Sequence, residues 1–463
     1  MHAAPEHLRH LVGVLHIGAE SAGLDRLAAR YAEERVGVSL GVATRRGDVF
    51  LAERRVAAEV RAARARLLPA ISLEGRTSHF DNATDFGALV NPAYAALNQL
   101  TGTNQFPTNI DFTLPYAYES HARLVQPLFN EPLRASYNAA QARHDGQSAQ
   151  LRAAARQVAA DAQSAYLQQA SARRAVEILE ATLGLVRENE RIAERLLAAG
   201  SATPEGVQRA RAERAEVEQQ LAETRERARA ASREFNLVLK RPLDQPVEAI
   251  PDSAFELPLP LDADAAVQRG LAAREELRQV DAGIRAAEAG KRAATTSLLP
   301  SVAGVLDYGF QGSDITFADE DHVWSATLAV SWSLFDGGGD LARRSAAGYE
   351  IERSRLQRDD VADKISLEIR NAHEAATVAR DAIATADTRL EAATRTYSLV
   401  KRRYEEGAAT PYELADARAS LTRAQLNRLL TSYRYAIRRV DLERAAALRD
   451  LGFDKKDSKG ASR

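Results

Sequence analysis

Four closely spaced carboxylates are the residues of this chain best suited to chemistry on a ligand. They lie in one short segment between two strand-like stretches and comprise Asp314, Asp319, Glu320 and Asp321. Carboxylate oxygens at this density could bind a divalent cation. The same residues suit a solvated acidic loop, and we favour the loop. No metal site is therefore predicted.

Other catalytic constellations are missing from the sequence. The chain has no cysteine, which excludes disulfides, thiolate metal ligands and a cysteine nucleophile. Its nine histidines show no metal-ligand spacing, and no Ser, His and Asp set can be argued. The glycine run at residues 337–339 lacks the Lys-Ser/Thr of a phosphate loop and suits a bend between a strand and a helix. The sequence thus predicts a protein that is not an enzyme and holds no cofactor.

Charge and hydropathy exclude further classes of protein. The 463 residues include 62 basic and 64 acidic side chains, a near balance that argues against a nucleic-acid-binding surface. Apolar residues make up 45% of the chain, as in ordinary folded proteins. No stretch reaches the roughly 18 apolar residues of a transmembrane helix. If the chain enters a membrane, it must do so with strands.

The N-terminal residues resemble the core of a secretory signal only weakly. The apolar run from Arg9 to Ala19 is short, His16 interrupts it, and the preceding residues are not clearly basic. A signal peptide is therefore not convincing, and residues 1–26 are expected to be poorly ordered.

One twelve-residue pattern occurs twice, 207 positions apart. In each copy a glycine can adopt positive φ and end a helix, a threonine can cap the next helix, and a proline fits its first position. Each copy therefore predicts a tip between two helices, near residues 200–206 and 407–413. The residues concerned are Gly200, Thr203, Pro204, Gly407, Thr410 and Pro411.

Two further landmarks recur in the same order. Leu-Leu-Pro appears at residues 67–69 and 298–300, and Leu-Phe at 128–129 and 334–335. From the phenylalanine to the tip glycine is 71 residues in one copy and 72 in the other, whereas from the proline to the phenylalanine is 60 and 35. A constant length indicates a rigid element and a variable length a loop. The sequence predicts two structural repeats, 27–240 and 262–450, joined by a Pro-rich linker, 241–261, and followed by a disordered tail, 451–463.

The segments of constant length have the pattern of helices. Apolar residues step by three and four, and the flanks are rich in Ala, Arg, Glu and Gln, which favour helices. Some 70 residues of helix would extend about 100 Å. The predicted packing seams comprise Leu183, Val186, Glu190, Ala193 and Leu197 before the first tip, Leu390, Ala393, Tyr397, Val400 and Tyr404 before the second, and Leu414, Ala417, Leu421, Leu430, Tyr433, Ile437 and Val440 after it. A solvated coiled-coil arm would explain these helices equally well.

The segments of variable length have the alternation of β-hairpins, at about residues 70–129 and 301–335. The second is the clearer, because one face of its return strand is apolar and the other is mostly small and hydroxylated. Its apolar face comprises Val302, Leu306, Tyr308 and Phe310 on the outgoing strand, and Trp324, Ala326, Leu328, Val330, Trp332 and Leu334 on the return strand. In the first hairpin, Asn91, Pro92, Asn104 and Pro107 predict an irregular exposed loop between the strands.

The only two tryptophans, Trp324 and Trp332, lie eight residues apart on this apolar face. Their separation of ~26 Å along a strand is close to the apolar band between the aromatic girdles of an outer-membrane barrel, so they are candidates for such a girdle. Two hairpins supply four strands, too few for a closed barrel of about eight or more, and the chain would have to share a barrel with copies of itself. The alternative is a non-membrane coiled-coil scaffold, which would leave this face exposed to water.

The duplicated order of these landmarks resembles the TolC-like outer membrane efflux protein family. The order is helix, strand pair opened by Leu-Leu-Pro and closed by Leu-Phe, long helix, Gly-x-x-Thr tip and returning helix, and it covers roughly Leu27 to Leu451. The resemblance implies a mainly α fold with a β membrane part. Three protomers would form one twelve-stranded β-barrel in the outer membrane, continuous with a periplasmic α-helical barrel.

The resemblance also implies a function and partners. Such channel-tunnels export drugs, other small molecules or proteins from the periplasmic side to the exterior, in efflux and in type I secretion. They are homotrimers in outer-membrane lipid, they dock a periplasmic adaptor through their tips, and they work with an inner-membrane RND or ABC transporter. Here the six tip residues named above look like the adaptor-docking motifs.

Two acidic residues after the second tip form the periplasmic constriction in this family, and they match Glu413 and Asp416. Three protomers would stack two carboxylate rings, which favour cations. The alternative for Glu413 is stabilisation of the helix dipole alone. The first tip has Gly206 where the family often has Asp, and Ala409 stands where some members carry a basic residue that locks the closed tip.

Overall fold

The computed structural model of the chain describes residues 47–78, 84–110, 113–114, 118–200, 203–249, 257–312 and 322–449. The predictions for the N-terminal segment 1–26, the four carboxylates of the acidic loop and the tail 451–463 lie outside these residues. The described helices are α1 (Gly47–Ala65), α2 (Phe86–Thr101), α3 (Glu131–Ala198), α4 (Pro204–Val238), α5 (Ala263–Ala273), α6 (Glu275–Thr296), α7 (Gly339–Glu405) and α8 (Pro411–Ala445). The described strands are β1 (Ala70–Thr77), β2 (Thr84–Asp85), β3 (Thr113–Leu114), β4 (Tyr118–Phe129), β5 (Ser301–Gly312) and β6 (His322–Ser331).

The four long helices confirm the helical prediction. Helices α3 and α7 have 68 and 67 residues, and each is followed across a tip by a helix of 35 residues, α4 or α8. At about 1.5 Å per residue, α3 and α7 each extend about 100 Å. In folded proteins most of the stability of a helix comes from tertiary packing rather than from propensity, so these helices depend mainly on their packing against one another.

The described residues fall into two compact units. One unit is helical and comprises residues 47–53, Gly146–Asp281 and 356–449, and the other contains the sheet and comprises Arg54–Asp145 and Ala282–Arg355. In the helical unit, buried residues from different helices form three clusters, whose fully buried side chains include Leu167, Leu179, Val186, Ile369 and Leu442. Alanines fill much of the remaining core, and their small size lets the helices approach closely.

Most of the predicted seam is buried or half-buried, including Leu183, Val186 and Ala393, but the prediction for Leu430 is wrong. The Leu430 side chain is 50% exposed, and Leu429 packs against the core instead. The predicted step from Leu421 to Leu430 is nine residues, which at about 100° per residue ends half a turn away, so Leu430 lies on the side of α8 opposite Leu421.

The strands of the two predicted hairpins form one antiparallel sheet in the order β1-β4-β5-β6. Strands β4 and β5, one from each repeat, pair over most of their length, with Val125 opposite Val305. Strands β1 and β6 are the edges of this sheet. Chain direction places α1, α3, α6 and α7 at one end of the sheet and the two strand-to-strand connections at the other end.

The two faces of the sheet differ in polarity. On the apolar face Tyr308 lies opposite Trp324, and the side chains of β6 on this face are largely exposed, with Trp324 at 65% and Leu328 at 66%. On the other face Arg123 of β4 bonds Asp307 of β5 at 2.7 Å and Glu74 of β1 at 3.3 Å. These ion pairs cross three strands and both repeats. Strand β6 ends at Ser331, so Trp332 and Leu334 lie just beyond the strand predicted for them.

The prediction of an irregular loop in the first hairpin is wrong for residues 86–101, which form helix α2. Pro92 lies inside this helix. Two asparagines that suggest a loop instead connect α2 to the chain segment that follows it. The Asn91 side chain forms hydrogen bonds with the backbone of Ile110, and the Asn98 side chain forms them with the backbone of Phe106. Asn side chains mimic backbone hydrogen bonding, which makes them ambiguous in a sequence.

The described part of the Pro-rich linker, residues 241–249 and 257–261, forms neither helix nor strand but is held by the helical unit. The hydroxyl of Tyr435 donates to the Leu257 carbonyl at 2.6 Å, and the Asn236 amide donates to the carbonyls of Leu243 and Gln245. Burial raises the pKa of the Tyr435 hydroxyl. These bonds tie the connection between the repeats to α4 and α8.

Gly309 lets β4 and β5 approach closely, and its replacement tests the sheet. A Cβ at this position would lie 2.0 Å from the Ser120 carbonyl oxygen and 2.5 Å from the His121 Cα. We expect Gly309→Ala to destabilise the protein by about 1 to 3 kcal/mol, because backbone atoms must move to accommodate the methyl group. The measurement is the thermal unfolding midpoint in detergent by circular dichroism.

Gly304→Ala on the same strand is the matched control. A Cβ there would meet only the Leu128 Cδ1 at 3.8 Å, an ordinary contact. Its midpoint should stay near that of the wild type. Equal midpoints for the two variants would contradict the close approach of β4 and β5 at Gly309.

Candidate functional site

The two tips have the turn geometry predicted for them. Gly200 and Gly407 adopt φ values of 74° and 75°, a left-handed conformation that glycine takes without a steric penalty. Pro204 and Pro411 are the first residues of α4 and α8. Proline suits this position because the first amide of a helix has no carbonyl partner within the helix.

The second tip is fastened by a capping box. The Glu413 carboxylate accepts hydrogen bonds from the Thr410 backbone N–H at 2.7 Å and from its hydroxyl at 2.9 Å, and the Glu413 N–H donates to the Thr410 hydroxyl oxygen at 3.2 Å. The backbone N–H of Thr410 is the main reason that the pKa of Glu413 lies below its usual value. The stabilisation is therefore present above the ordinary pKa of a glutamate and is lost as pH falls through this lowered value.

The first tip has no capping box. Gly206 occupies the place of Glu413, and the Thr203 side chain makes no capping hydrogen bond to the helix backbone. Instead Glu205 lies in the first turn, where its own backbone N–H and then the Thr203 hydroxyl lower the pKa of its carboxyl group. The two tips share a turn but differ in what fixes the start of the returning helix.

Asp416 differs from Glu413 in its exposure to solvent and in its hydrogen bonding. Asp416 is exposed on α8, whereas Glu413 is half-buried and held by the cap. Within the described residues, Asp416 makes no hydrogen bond or ion pair. Both carboxylates lie three residues apart, on neighbouring positions of one helix face. Of the two carboxylates, Asp416 is the more accessible to solvent.

A buried ion pair joins the two helical hairpins close to their tips. The Arg418 guanidinium of α8 donates to the Glu213 carboxylate of α4 at 3.0 Å, and the two side chains are only 5% and 16% exposed. Burial raises the pKa of Glu213, and the Arg418 charge opposes this shift. Removing one partner of such a pair leaves the other charge buried without a counter-charge, which lowers the free energy of unfolding by about 3 to 5 kcal/mol.

Sequence reasoning missed this pair, although one signal was present. Arg211 occupies the place of Arg418 in the first repeat, but it bonds Glu194 at 2.8 Å within its own hairpin and is half exposed. The shared arginine thus indicates a repeat position, while its partner depends on which helices lie against it.

A cleft of about 580 Å³ opens between the tips. Helices α3, α4, α7 and α8 all contribute to its wall, and of the six predicted tip residues Thr203, Gly407 and Pro411 line it. The Arg209 guanidinium lies 5.1 Å from the centre of the Tyr412 ring. The lining of the cleft combines apolar and polar groups.

The described residues contain no cluster of three or more His, Cys, Asp or Glu that could hold a metal ion. Within the same residues, no helix combines the length and apolar character needed to cross a bilayer.

The predicted girdle residues are both exposed, Trp324 at 65% and Trp332 at 59%. The Trp332 indole N–H donates to the Leu298 carbonyl at 2.9 Å.

Comparison with known families gives one match. The sequence profile described as "Outer membrane efflux protein" matches residues 51–239 and 266–448. These two segments lie in the two predicted repeats and cover well over half of the chain. No curated protein sequence matches the chain.

Solved structures share the fold at low sequence identity. The CmeC outer membrane channel of Campylobacter jejuni has a TM-score of 0.69 at 16% identity, over 98% of this chain and 89% of that chain. The outer membrane protein VceC of Vibrio cholerae has a TM-score of 0.68 at 16% identity, over 95% and 96%. The open state of the MtrE outer membrane channel of Neisseria gonorrhoeae has a TM-score of 0.68 at 18% identity, over 95% and 88%.

The difference between the two tips can be measured with matched threonine variants. Thr410→Ala removes a capping hydroxyl and should cost about 1 kcal/mol, so amide exchange in the first turn of α8 should rise roughly fivefold. Thr203→Ala removes a hydroxyl that makes no capping bond to the backbone, and α4 should change less. Hydrogen exchange with mass spectrometry reads both turns. Equal changes at the two tips would contradict the asymmetry.

Proposed function

The chain belongs to the outer membrane efflux protein family, and from that premise we propose that three copies assemble into one export channel. Members of this family are efflux channels of the outer membrane and not enzymes. The observation that best supports a trimer is the open four-stranded sheet with an exposed apolar face. The alternative, a non-membrane coiled-coil scaffold, would leave that face in water.

The edges of the sheet call for partner strands. Among the described residues, no strand pairs with the outer edges of β1 and β6, and each unpaired N–H or C=O group costs several kcal/mol in hydrocarbon. Four strands cannot close on themselves, but three copies supply twelve, which is within the range of membrane barrels. Each β6 would then pair with β1 of the next copy, and no edge would remain.

The polarity of the two sheet faces sets their orientation in this barrel. The apolar face, with Trp324 and Leu328, would meet lipid, and the face with Arg123, Asp307 and Glu74 would line the lumen. Trp324 and Trp332 would lie at the two membrane interfaces, where an amphipathic ring is favoured. Helices α1, α3, α6 and α7, which join one end of the sheet, would continue into the periplasm as part of an α-helical barrel.

Partners would act at the tips of the two helical hairpins. A periplasmic adaptor would contact the tips through Gly200, Thr203, Pro204, Gly407, Thr410 and Pro411. The cleft that Thr203, Gly407 and Pro411 line supports this assignment. An inner-membrane RND or ABC transporter would supply the energy, and the exported substrates would be drugs, other small molecules or proteins.

Glu413 and Asp416 would form the constriction of the channel. Three protomers would bring six carboxylates to the tips, in two rings that favour cations. The exposure of Asp416 and the absence of a described partner support a larger contribution from its ring. Glu413 would add charge while it holds the start of α8.

Cross-linking tests the shared barrel directly. The chain has no cysteine, so Leu73→Cys on β1 and Leu328→Cys on β6 introduce the only thiols. Within one chain these edges are three strand spacings apart, about 14 Å, beyond a direct disulfide. Between copies, β1 and β6 would be adjacent strands. We expect a short thiol-reactive linker to give covalent dimers and trimers on denaturing gels.

Each single-cysteine variant is the control for the cross-linking, because one thiol per chain cannot produce a covalent trimer. The double variant should retain its helical content by circular dichroism. Monomers only, from folded protein in detergent, would contradict pairing of β1 with β6 of another copy.

Single-channel currents in planar bilayers test the constriction. Asp416→Asn together with Glu413→Gln removes both charges while Gln can still serve in the capping box. We expect the preference for K⁺ over Cl⁻ to fall by a factor of about two to five, because charges in contact with water interact only weakly with ions. Glu226→Gln, an exposed change on α4, should leave selectivity unchanged. Channels with wild-type selectivity in the double variant would contradict the acidic rings.

A further inference from the structure

Helix α2, in the connection between β1 and β4, exposes its apolar side chains and turns its polar ones inward. Leu89 is 73% exposed, Leu97 40% and Leu100 85%. At 100° per residue these three leucines fall within one 80° sector of the helix. Residues of this kind normally face a core, so their exposure indicates a missing partner.

The opposite face of α2 is occupied by polar contacts that fix its orientation. Asn91 donates to the Ile110 carbonyl and accepts from its N–H, both at 2.8 Å. Asn98 makes the same pair of bonds with Phe106, at 2.7 and 3.0 Å. The ring of Tyr94 lies 5.5 Å from that of Phe106. The leucines cannot turn inward without breaking these four hydrogen bonds.

The whole segment from Phe86 to Ile110 contains no Asp, Glu, Lys or Arg. In the whole chain, 27% of the residues are Asp, Glu, Lys or Arg. The long helices are rich in arginine and glutamate. A run of 25 uncharged residues with an outward apolar face is therefore a local departure from the rest of the protein. It matches an environment in which charge is costly.

The position of α2 in the fold points to the same environment. The segment leaves the sheet where Thr77 of β1 pairs with Tyr118 of β4, at the end away from the helix junctions. Strand β1, which leads into it, exposes Ile71 at 77% and Leu73 at 82%. Along the chain, the exposed apolar residues of this edge strand are thus followed by a helix with exposed leucines.

We propose that α2 lies in the outer membrane–water interface, with Leu89, Leu97 and Leu100 inserted among lipid chains beside the barrel. The inference rests on the proposed membrane barrel and adds a second lipid-binding element to it. An interfacial helix buries an apolar face about 5 to 10 Å into the boundary between headgroups and acyl chains. Three such helices per trimer would surround the barrel at its outer end.

Lipid fits this surface better than a protein partner does. The exposed leucine face amounts to a few hundred Å² by order of magnitude. A stable protein interface takes about 800 Å² from each partner and includes polar anchors. The outward sector has no charged or hydrogen-bonding group that could orient a partner.

Site-specific fluorescence in vesicles tests the proposal. Single cysteines replace Leu100, Gln99, Leu328 and Glu226 in the full-length protein, and each is labelled with an environment-sensitive NBD dye. The labelled trimers are reconstituted into phosphatidylcholine vesicles with or without brominated acyl chains. We expect the dye at Leu100 to emit at shorter wavelength and to be quenched within about a factor of two of the dye at Leu328.

Gln99 and Glu226 provide the contrast. Gln99 is the neighbour of Leu100 but lies about 100° away around α2, so its dye should be quenched less. Glu226, on the helical unit, should show no quenching. A water-like spectrum at Leu100 would overturn the inference. A shifted but unquenched dye at Leu100 would also overturn it, because the helix would then be covered by protein, such as another copy.

The same measurement separates this inference from the proposed function. Quenching at Leu328 without quenching at Leu100 leaves the barrel standing and removes only the interfacial role of α2. No quenching at either position would overturn both. Because Leu100 is almost fully exposed, its replacement removes no packing and should leave the fold intact.

Discussion

An antiparallel sheet of four strands leaves the outward N–H and C=O groups of β1 and β6 without partners, and one face of this sheet is apolar and exposed. Water could satisfy the edges, and lipid could cover the face, but no single solvent does both. Closure of the sheet with strands from other copies resolves the conflict, because every backbone group is then paired and the apolar face can meet hydrocarbon. The polar face, with ion pairs that cross three strands, then needs an aqueous lumen.

The helical part of the molecule contains two hairpins of nearly equal dimensions, and their tips differ in their side-chain contacts. Helices α3 and α7 differ by one residue in length, and α4 and α8 are equal. At the tips, however, Gly206 stands where Glu413 forms a capping box, and Arg211 bonds within its hairpin where Arg418 reaches across to Glu213. The shared turn keeps the geometry, while the substituted side chains make only the second tip both acidic and capped.

The long helices, the tips and the alternating strands could be predicted because their signals are local. Periodicity, a glycine before a helix end and a proline at a helix start each depend on a few neighbouring residues. The prediction failed where local signals conflict. Asn91, Pro92 and Asn98 read as a loop, yet they lie in α2, where the two asparagines bond a chain segment that returns up to 19 residues later. The prediction for Leu430 failed because its nine-residue step from Leu421 ends on the opposite side of the helix.

The sequence by itself determined the repeated order of elements, the tip turns, the apolar face of the second hairpin and the positions of Glu413 and Asp416. Only the tertiary structure decided that β4 pairs with β5, that Arg418 is buried against Glu213, and that the leucines of α2 face outward. These features join residues that are 184, 205 and 19 positions apart, or depend on such contacts. Local chemistry specifies which elements form, but pairing and burial depend on which surfaces meet after the chain has folded.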